Sequence, residues 1–373
     1  MGEVCPDVAF AQQALTCEIG RMDQALQVNE QISALRIVDA AANRTGEGLR
    51  VVEDFLRFAL EDRHLTEICK RLRHDLTALL AQISTQDRVT ARETLRDLGT
   101  EISTPTEQQR DDLRGVVSAS FKRAEQALRS LEEYSKLVSP GVAAGFEKLR
   151  YALYTLERAT EITASSLDRL AKAQLYVLLD GRKTAEEFAT IVQSLIAGGV
   201  HIIQLRDKQL DDRTLLSRAR HLRELTNGTS TLFIMNDRPD LARLSQADGV
   251  HVGQEELAVK DCRAILGVEP LVGVSTHSLE QARQAILDGA NYIGVGPTFP
   301  SATKNFKQFT GLDFLRQVAR EIRLPTFAIG GITAENLNEV ISTGVRRFAV
   351  SNALVNAPDI EIATQILLRK LKT

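Results

Sequence analysis

No stretch of the 373-residue chain approaches the roughly eighteen consecutive apolar residues that a membrane span requires, so no membrane partner is expected. The first ten residues, MGEVCPDVAF, have neither a basic start nor a long apolar segment, which argues against a secretory signal and for a cytoplasmic protein. Only four cysteines occur, Cys5, Cys17, Cys69 and Cys262, without a CxxC pair or metal-ligand spacing. Free thiols in a reducing compartment follow. The net charge of −3 is too small to suggest nucleic acid as a partner. Absent too are a GxGxxG turn after the first strand and a GxxxxGK[ST] loop, which excludes a Rossmann fingerprint and a P-loop. Proline is scarce early: residues 1–168 hold Pro6, Pro105 and Pro140 of nine in all.

What remains is the balance of a globular protein, 43% apolar and 25% charged, in a chain long enough for two domains. The halves differ. Residues 1–168 carry 21 basic and 27 acidic side chains, against 25 and 22 in the rest. In the first half apolar residues recur at helical spacing, as in Leu49, Val52, Phe55, Leu56 and Ala59. An all-α domain over 1–168 is predicted, with a boundary near 165–173.

The second half alternates short apolar runs with amphipathic segments eight times. The runs are QLYVLL (174–179), HIIQLR (201–206), TLFIMN (231–236), GVHVG (249–253), LVGVST (271–276), YIGVG (292–296), TFAIG (326–330) and RFAVSN (347–352). Segments such as 184–197, 211–225, 278–288 and 333–343 separate them. Strand-then-helix repetition implies parallel strands joined by right-handed crossovers. Eight units over 174–371 predict an α/β fold, a compact (β/α)8 TIM barrel, in preference to an open doubly wound sheet.

Function in such a barrel sits where the strands end. The second strand leads to Gln204, Arg206 and Lys208, the third to Asn236 and Asp237, and the fourth to Gln254, Glu255 and Glu256. The fifth ends in Ser275, and GPTFPSATK after the sixth brings Ser301, Thr303 and Lys304. Gly330 and Gly331 follow the seventh, Ser351 and Asn352 the eighth. Each has a plainer reading. Arg206 and Lys208 also suit solvated rim charges, Asp237 an N-cap for a helix starting near Pro239, and Glu256 a first-turn helix carboxylate. His251 and His277 read as packed or solvent-facing. Gly330 and Gly331 suit a phosphate, because backbone N–H groups there face an anion. Together, cations for a diphosphate leaving group, carboxylates for magnesium and a second anion site describe a coupling enzyme. An isomerase of a single phosphate would not need both.

Read in order, IQLRDK, MNDRPDLA, ADGVHVGQEEL, VGVSTHS, GVGPTFPSATK, AIGGI and AVSNAL resemble the thiamine-phosphate synthases over 174–356. The resemblance implies that hydroxymethylpyrimidine diphosphate and thiazole phosphate are joined, releasing pyrophosphate. Carried over by motif, Gln204, Arg206, Lys208, Asn236, Ser275 and Lys304 would hold the pyrimidine diphosphate, with Lys304 and Ser275 catalytic. Asp237 and Glu256 would bind Mg2+, and Ser301, Thr303, Gly331, Val350 and Ser351 the thiazole phosphate. Glu256 departs from the family, which usually has Asp there. The thiazole tautomerases, on a similar barrel, lack diphosphate chemistry and would not need Lys208, Asn236–Asp237 and Lys304 together. A regulatory barrel without catalysis would not be expected to keep them either. Residues 297–310, the longest strand–helix connection, are expected to close as a lid.

The first half contains an echo at a spacing of 79, RTGEGLRVVEDFLR (44–57) on RAEQALRSLEEYSK (123–136). It pairs Arg50 with Arg129 and Glu53 with Glu132. Arg50 and Glu53, three apart, read first as a surface ion pair. NRTGEGLRVVEDFLRF and FEKLRYALYTLE resemble the helical domain fused to some thiamine-phosphate synthases, which implies a hydroxymethylpyrimidine-phosphate kinase using ATP. A structural or dimerisation module, within a homo-oligomer, is the competing class.

Overall fold

The structure, a computed structural model, describes residues 6–94, 110–300 and 310–371. Two compact units emerge: residues 1–59 with 66–157, and residues 60–65 with 158–373. No helix among the described residues is long and apolar enough to cross a membrane.

The first unit is helical: α1 (Pro6–Phe58), most of α2 (Arg63–Leu80), α3 (Thr85–Ala91), α4 (Leu113–Val138) and the greater part of α5 (Pro140–Arg169). Of the residues whose spacing predicted a helix, Leu49, Val52 and Leu56 form the buried stripe of α1, Phe55 is half-buried, and Ala59 is exposed just past the helix end. Phe121, Ala124, Leu128 and Leu131 of α4 are buried too. Gly48 lets α1 and α4 approach closely, since a Cβ there would stand 2.9 Å from the Ser120 carbonyl oxygen. Asp112 starts α4 by accepting the Gly115 N–H at 2.7 Å.

In the second unit eight parallel strands close in sequence order into a barrel, as the alternation predicts. They are β1 (Leu175–Leu179), β2 (Ile202–Leu205), β3 (Leu232–Asn236), β4 (Gly249–Val252), β5 (Leu271–Thr276), β6 (Tyr292–Val295), β7 (Thr326–Ile329) and β8 (Phe348–Val350). The connections include α6 (Ala185–Gly198), α7 (Asp212–Thr226), α8 (Pro239–Leu244), α9 (Val259–Leu266), α10 (Leu279–Asp288), α11 (Gly311–Glu321) and α12 (Leu337–Ser342). The short α13 (Asn352–Val355) and α14 (Ile360–Lys370) follow β8. Most crossover segments match their predicted spans; 333–343 shrinks to α12, because Thr333–Asn336 is spent on a turn in which Asn336 bonds the Thr333 N–H and the Gly331 carbonyl.

Alternate strand residues fill the barrel. Tyr176, Ile202, Ile234, Leu271, Tyr292, Phe327 and Ala349 form one buried cluster, extended by Leu170 and Ala173 from the segment before β1. Tyr176 and Tyr292 each meet Phe327 edge-on, with ring centroids 5.3 and 5.6 Å apart. Gly273 makes that possible, since a Cβ on it would overlap the Tyr292 ring. The end of α5 is tied to the barrel: Asn291 donates to the Ser166 hydroxyl at 3.0 Å, and Arg158 to the Leu287 carbonyl at 2.5 Å. Asp62 accepts the Arg323 N–H at 2.9 Å, which binds residues 60–65 to the same unit.

Candidate active site

The rim is organised from β2. Arg206 donates its N–H to the Leu179 carbonyl at 2.8 Å, extending the β1–β2 ladder one step beyond the strand. Asp207 then accepts three backbone N–H groups, from Gln209 and Leu210 in its own loop and Gly181 in the loop after β1, at 2.8, 3.0 and 3.0 Å. Burial acts to raise its pKa, but these bonds prevail and hold the carboxyl below its usual value. Asp207 therefore clamps the loop that carries Arg206 and Lys208. Sequence reading passed over it, although Asp followed two residues later by a loop N–H is the signature of an Asx turn.

Lys208 reaches across to the next two strands. Its Nζ lies 3.3 Å from Asp237 Oδ2 and 3.8 Å from Glu256 Oε1, so three loops meet at one point. Asp237 is not a helix cap: Arg238 holds the N-cap position of α8 and no side chain caps it. Asp237 instead sits at φ +59°, a left-handed conformation uncommon outside glycine, with its N–H bonded to the His251 carbonyl at 2.8 Å. Glu256 is not in a helix first turn either, since α9 begins at Val259. Its carboxylate folds back over Gly253, where a Cβ would overlap it.

Beneath the rim a polar chain crosses the barrel. Gln204 is buried and its amide donates to the Tyr176 hydroxyl at 2.7 Å. Tyr176 and Tyr292 hydroxyls are 3.1 Å apart, and Tyr292 lies 3.3 Å from His251 Nδ1. His251 Nε2 is 2.9 Å from the Ser275 hydroxyl. Burial, with a smaller contribution from the Arg206 charge, lowers the His251 pKa to about 4 against the opposing pull of Asp237. Burial likewise drives both tyrosine pKa values well up. All four partners are therefore neutral near pH 7. Followed in one direction, each hydroxyl donates to the next, the neutral imidazole donates from Nε2, and Ser275 keeps its own proton to offer at the rim. Gln254 donates to the Ser275 carbonyl at 2.6 Å. His251 is thus packed, as expected, but within a network; His277 is exposed and its Nδ1 lies 2.5 Å from the Gly296 carbonyl. Asn236 stands beside His251 in the β3–β4 register, half-buried.

Four strands round the ring from β3, β7 ends in Gly330 and Gly331, at φ +103° and +64°. Only glycine suits these positions. A Cβ at Gly331 would also stand 2.6 Å from the Pro300 carbonyl oxygen, because residues 297–300 are laid against the pair. Thr298 and Phe299 donate to the Ile329 and Gly330 carbonyls at 2.9 and 3.0 Å. Among the described residues no acceptor is paired with the Gly331 N–H. Continuing the β7–β8 register places Val350 and Ser351 alongside, Val350 buried and Ser351 half-buried. Ser301, Thr303 and Lys304, and with them residues 301–309 of the expected lid, lie outside the described residues. The described rim therefore gathers Gln204, Arg206, Lys208, Asn236, Asp237, Glu256 and Ser275 on β2–β5, and Gly331, Val350 and Ser351 on β7–β8. Among the described residues no group of three His, Cys, Asp or Glu side chains forms a metal cage.

The fold and this rim define a (β/α)8 protein with a glycine cradle and a charged cluster across the barrel mouth from it. A model of the family described as thiamine monophosphate synthase matches residues 175–354, and one of the ThiD2 family matches 36–159. The thiamine-phosphate synthase of Rhodopirellula baltica is 44% identical over 334 residues, covering 87% of this chain and 89% of its own. That of Nostoc punctiforme is 40% identical, covering 90% and 93%. Among solved structures, the thiamine phosphate pyrophosphorylase of Pyrococcus furiosus is 35% identical with a TM-score of 0.50, covering 54% of this chain and 96% of its own. The chain belongs to the thiamine-phosphate synthase family.

Proposed function

We propose that the barrel, residues 174–371, joins hydroxymethylpyrimidine diphosphate to thiazole phosphate, forming thiamine phosphate and releasing pyrophosphate. The observation that carries this reading is the meeting of Lys208 with Asp237 and Glu256 on one side of the mouth, opposite the Gly330–Gly331 turn. A cluster of one cation and two carboxylates, suited to a diphosphate with its magnesium, facing a glycine turn suited to a monophosphate, fits the coupling of two phosphorylated substrates.

The chain's own residues would act by placement and charge. Gln204 spends its amide N–H on Tyr176, which leaves its carbonyl to accept from the pyrimidine amino group. Ser275, its hydroxyl oriented by His251, donates to an acceptor on the same ring. The carbon–oxygen bond to diphosphate breaks with its electron pair leaving on oxygen, and Arg206, Lys208 and Lys304 take up that charge. The methylene cation, stabilised by the amino-pyrimidine ring, is captured by the thiazole nitrogen. Asn236 completes the pyrimidine side. Ser301, Thr303, Gly331, Val350 and Ser351 hold the thiazole phosphate, chiefly through hydroxyls and the Gly331 N–H. No side-chain nucleophile is needed.

Asp237 and Glu256 suit Mg2+: both are hard oxygen donors, and both already converge on one cation, the Lys208 ammonium. When bound, the ion neutralises diphosphate oxygens. Incubating the pure chain with both substrates and magnesium tests the assignment. Thiamine phosphate should appear and excess chelator should abolish it; no product would remove it.

The helical half, residues 1–168, we read as a pyrimidine-phosphate kinase that supplies the diphosphate from ATP. It is supported by the resemblance of 43–58 and 146–157 to the fused domain. The full chain should then make thiamine phosphate from pyrimidine monophosphate, ATP and thiazole phosphate. Absence of ATP consumption would leave a structural or dimerisation module.

A further inference from the structure

The echo in the helical half extends further in space than in sequence. Glu53 of α1 is 1% exposed, and Arg73 of the following helix α2 donates to it directly. Its counterpart Glu132 of α4 is also buried and takes Arg150 of the following helix α5, through Nε and Nη2, each at 2.9 Å. Around the two arginines, Arg71-Leu72-Arg73 matches Lys148-Leu149-Arg150 at a spacing of 77. Arg50 and Arg57 flank Glu53; Arg129 and Lys136 flank Glu132. The unit is a duplicated helical hairpin with one buried Glu–Arg pair in each copy.

The copies differ in how their charge is satisfied. In the second, Arg129 is bonded to Glu132 at 2.7 Å and to Glu133 at 2.9 Å, and Lys136 to Glu133 at 2.8 Å. Arg150 is roofed by the rings of Tyr151 and Tyr154, 4.7 and 5.7 Å from their centroids. Its donors are used and covered. In the first copy three guanidiniums share one carboxylate. Arg50 and Arg57 lie 3.7 and 3.6 Å from Glu53 Oε1, within reach of its charge but beyond hydrogen-bond distance; Arg50 is as exposed as Arg129, 54% against 56%, so the copies differ in bonding and not in exposure. Asp54, the counterpart of Glu133, makes no ion pair with either among the described residues. Three guanidiniums against the one Glu53 carboxylate leave a local charge of +2 before the nearby Asp54 is counted; Arg73 is spent on Glu53 and Arg57 lies over the Phe58 ring at 4.7 Å, so Arg50 and Arg57 are the members with hydrogen-bond donors to spare.

We propose that Arg50, Arg57 and Arg73 form a binding site for the dianionic group of a phosphate monoester, and that the Arg129–Arg150 copy is its closed, structural counterpart. Two positive charges match a phosphate dianion, and planar guanidinium forks match its oxygens. Glu53 contributes by anchoring all three arginines from below. The identity of the ester as a pyrimidine monophosphate rests on the kinase reading; the anion site does not.

Because the barrel also binds phosphates, the test must report on individual arginines. The full chain is treated with phenylglyoxal in a phosphate-free buffer, and modification at Arg50, Arg57 and Arg129 is followed by peptide mass spectrometry. Inorganic phosphate or pyrimidine monophosphate should slow modification of Arg50 and Arg57 at least threefold relative to chloride at matched ionic strength, and leave Arg129 unchanged. A double variant, Arg50→Gln with Arg57→Gln, keeps the buried Glu53–Arg73 pair and should retain its helical circular dichroism. In it the 31P line broadening that remains should be that of the barrel alone, smaller than in the parent chain, and broadening equal to the parent's would overturn the assignment. Equal protection by chloride, equal protection of Arg129, or protection by ATP with none by either monophosphate would overturn the assignment. Protection without ATP consumption would remove the kinase and leave the site standing.

Discussion

Replacing Lys208 by alanine should move metal affinity and turnover in opposite directions. The ammonium lies between Asp237 and Glu256, at 3.3 and 3.8 Å. In bulk water each pair would be worth about 1 kcal/mol by Coulomb's law. Lys208 is 58% exposed, so ordering the long side chain and solvent screening reduce the two pairs together to about 1 kcal/mol. A magnesium ion entering without substrate must displace that interaction. Lys208→Ala should therefore bind magnesium about fivefold more tightly, the factor that corresponds to about 1 kcal/mol. On the proposed reading, the same lysine acts as a cation on the leaving group once the diphosphate is bound. Losing a charge-assisted hydrogen bond costs roughly 1.5–3 kcal/mol, so kcat/KM should fall about 10- to 100-fold. Calorimetric titration of magnesium into the substrate-free chain measures the first effect, and pyrophosphate release the second. Raising the salt concentration should shrink the affinity gain, because exposed pairs are screened. Unchanged or weaker magnesium binding in Lys208→Ala would refute the shared site, whatever happened to turnover.

Burial holds the His251 pKa near 4, below its unfolded value of about 6.5. The unfolded chain therefore takes up a proton that the folded chain refuses as pH falls from 6.5 to 4. Stability from this residue is complete above pH 6.5 and lost by pH 4, by at most about 3 kcal/mol, and by less to the extent that water reaches the half-buried ring. Urea titrations of wild type and His251→Gln between pH 4 and 7 should show the larger pH dependence in wild type; parallel curves would count against it. Gly273→Ala should destabilise the barrel by about 1–3 kcal/mol, because the new methyl displaces the Tyr292 ring, and denaturant midpoints check this. Gly331→Ala should raise the KM for thiazole phosphate several-fold while leaving that for the diphosphate nearly unchanged; equal effects on both would remove the glycine turn from the phosphate site. A fragment starting at residue 158 should unfold at higher temperature than one starting at 174, since it keeps Ser166, Leu170 and Ala173 against the barrel. Equal melting temperatures would show those contacts to be dispensable.

The sequence by itself determined the barrel and most of its rim. Strand periodicity is local, and eight apolar runs separated by amphipathic segments leave a closed parallel sheet as the economical way to bury them. Because every parallel strand presents its C-terminal end to one face, the rim residues could be named from chain position alone. Partners brought together across strands or helices were beyond that reach. The Gln204–Tyr176–Tyr292–His251–Ser275 chain joins residues from five strands, and no spacing in the sequence announces it. Asp237 reads as a helix cap until its positive φ and the Lys208 ammonium beside it are seen. Glu53 reads as half of a surface ion pair because Arg50 is its neighbour on the helix, yet packing of α2 buries it and supplies Arg73. Sequence patterns record which face of an element turns inward; which polar group waits there is decided only when a second element, distant in the chain, is laid against it.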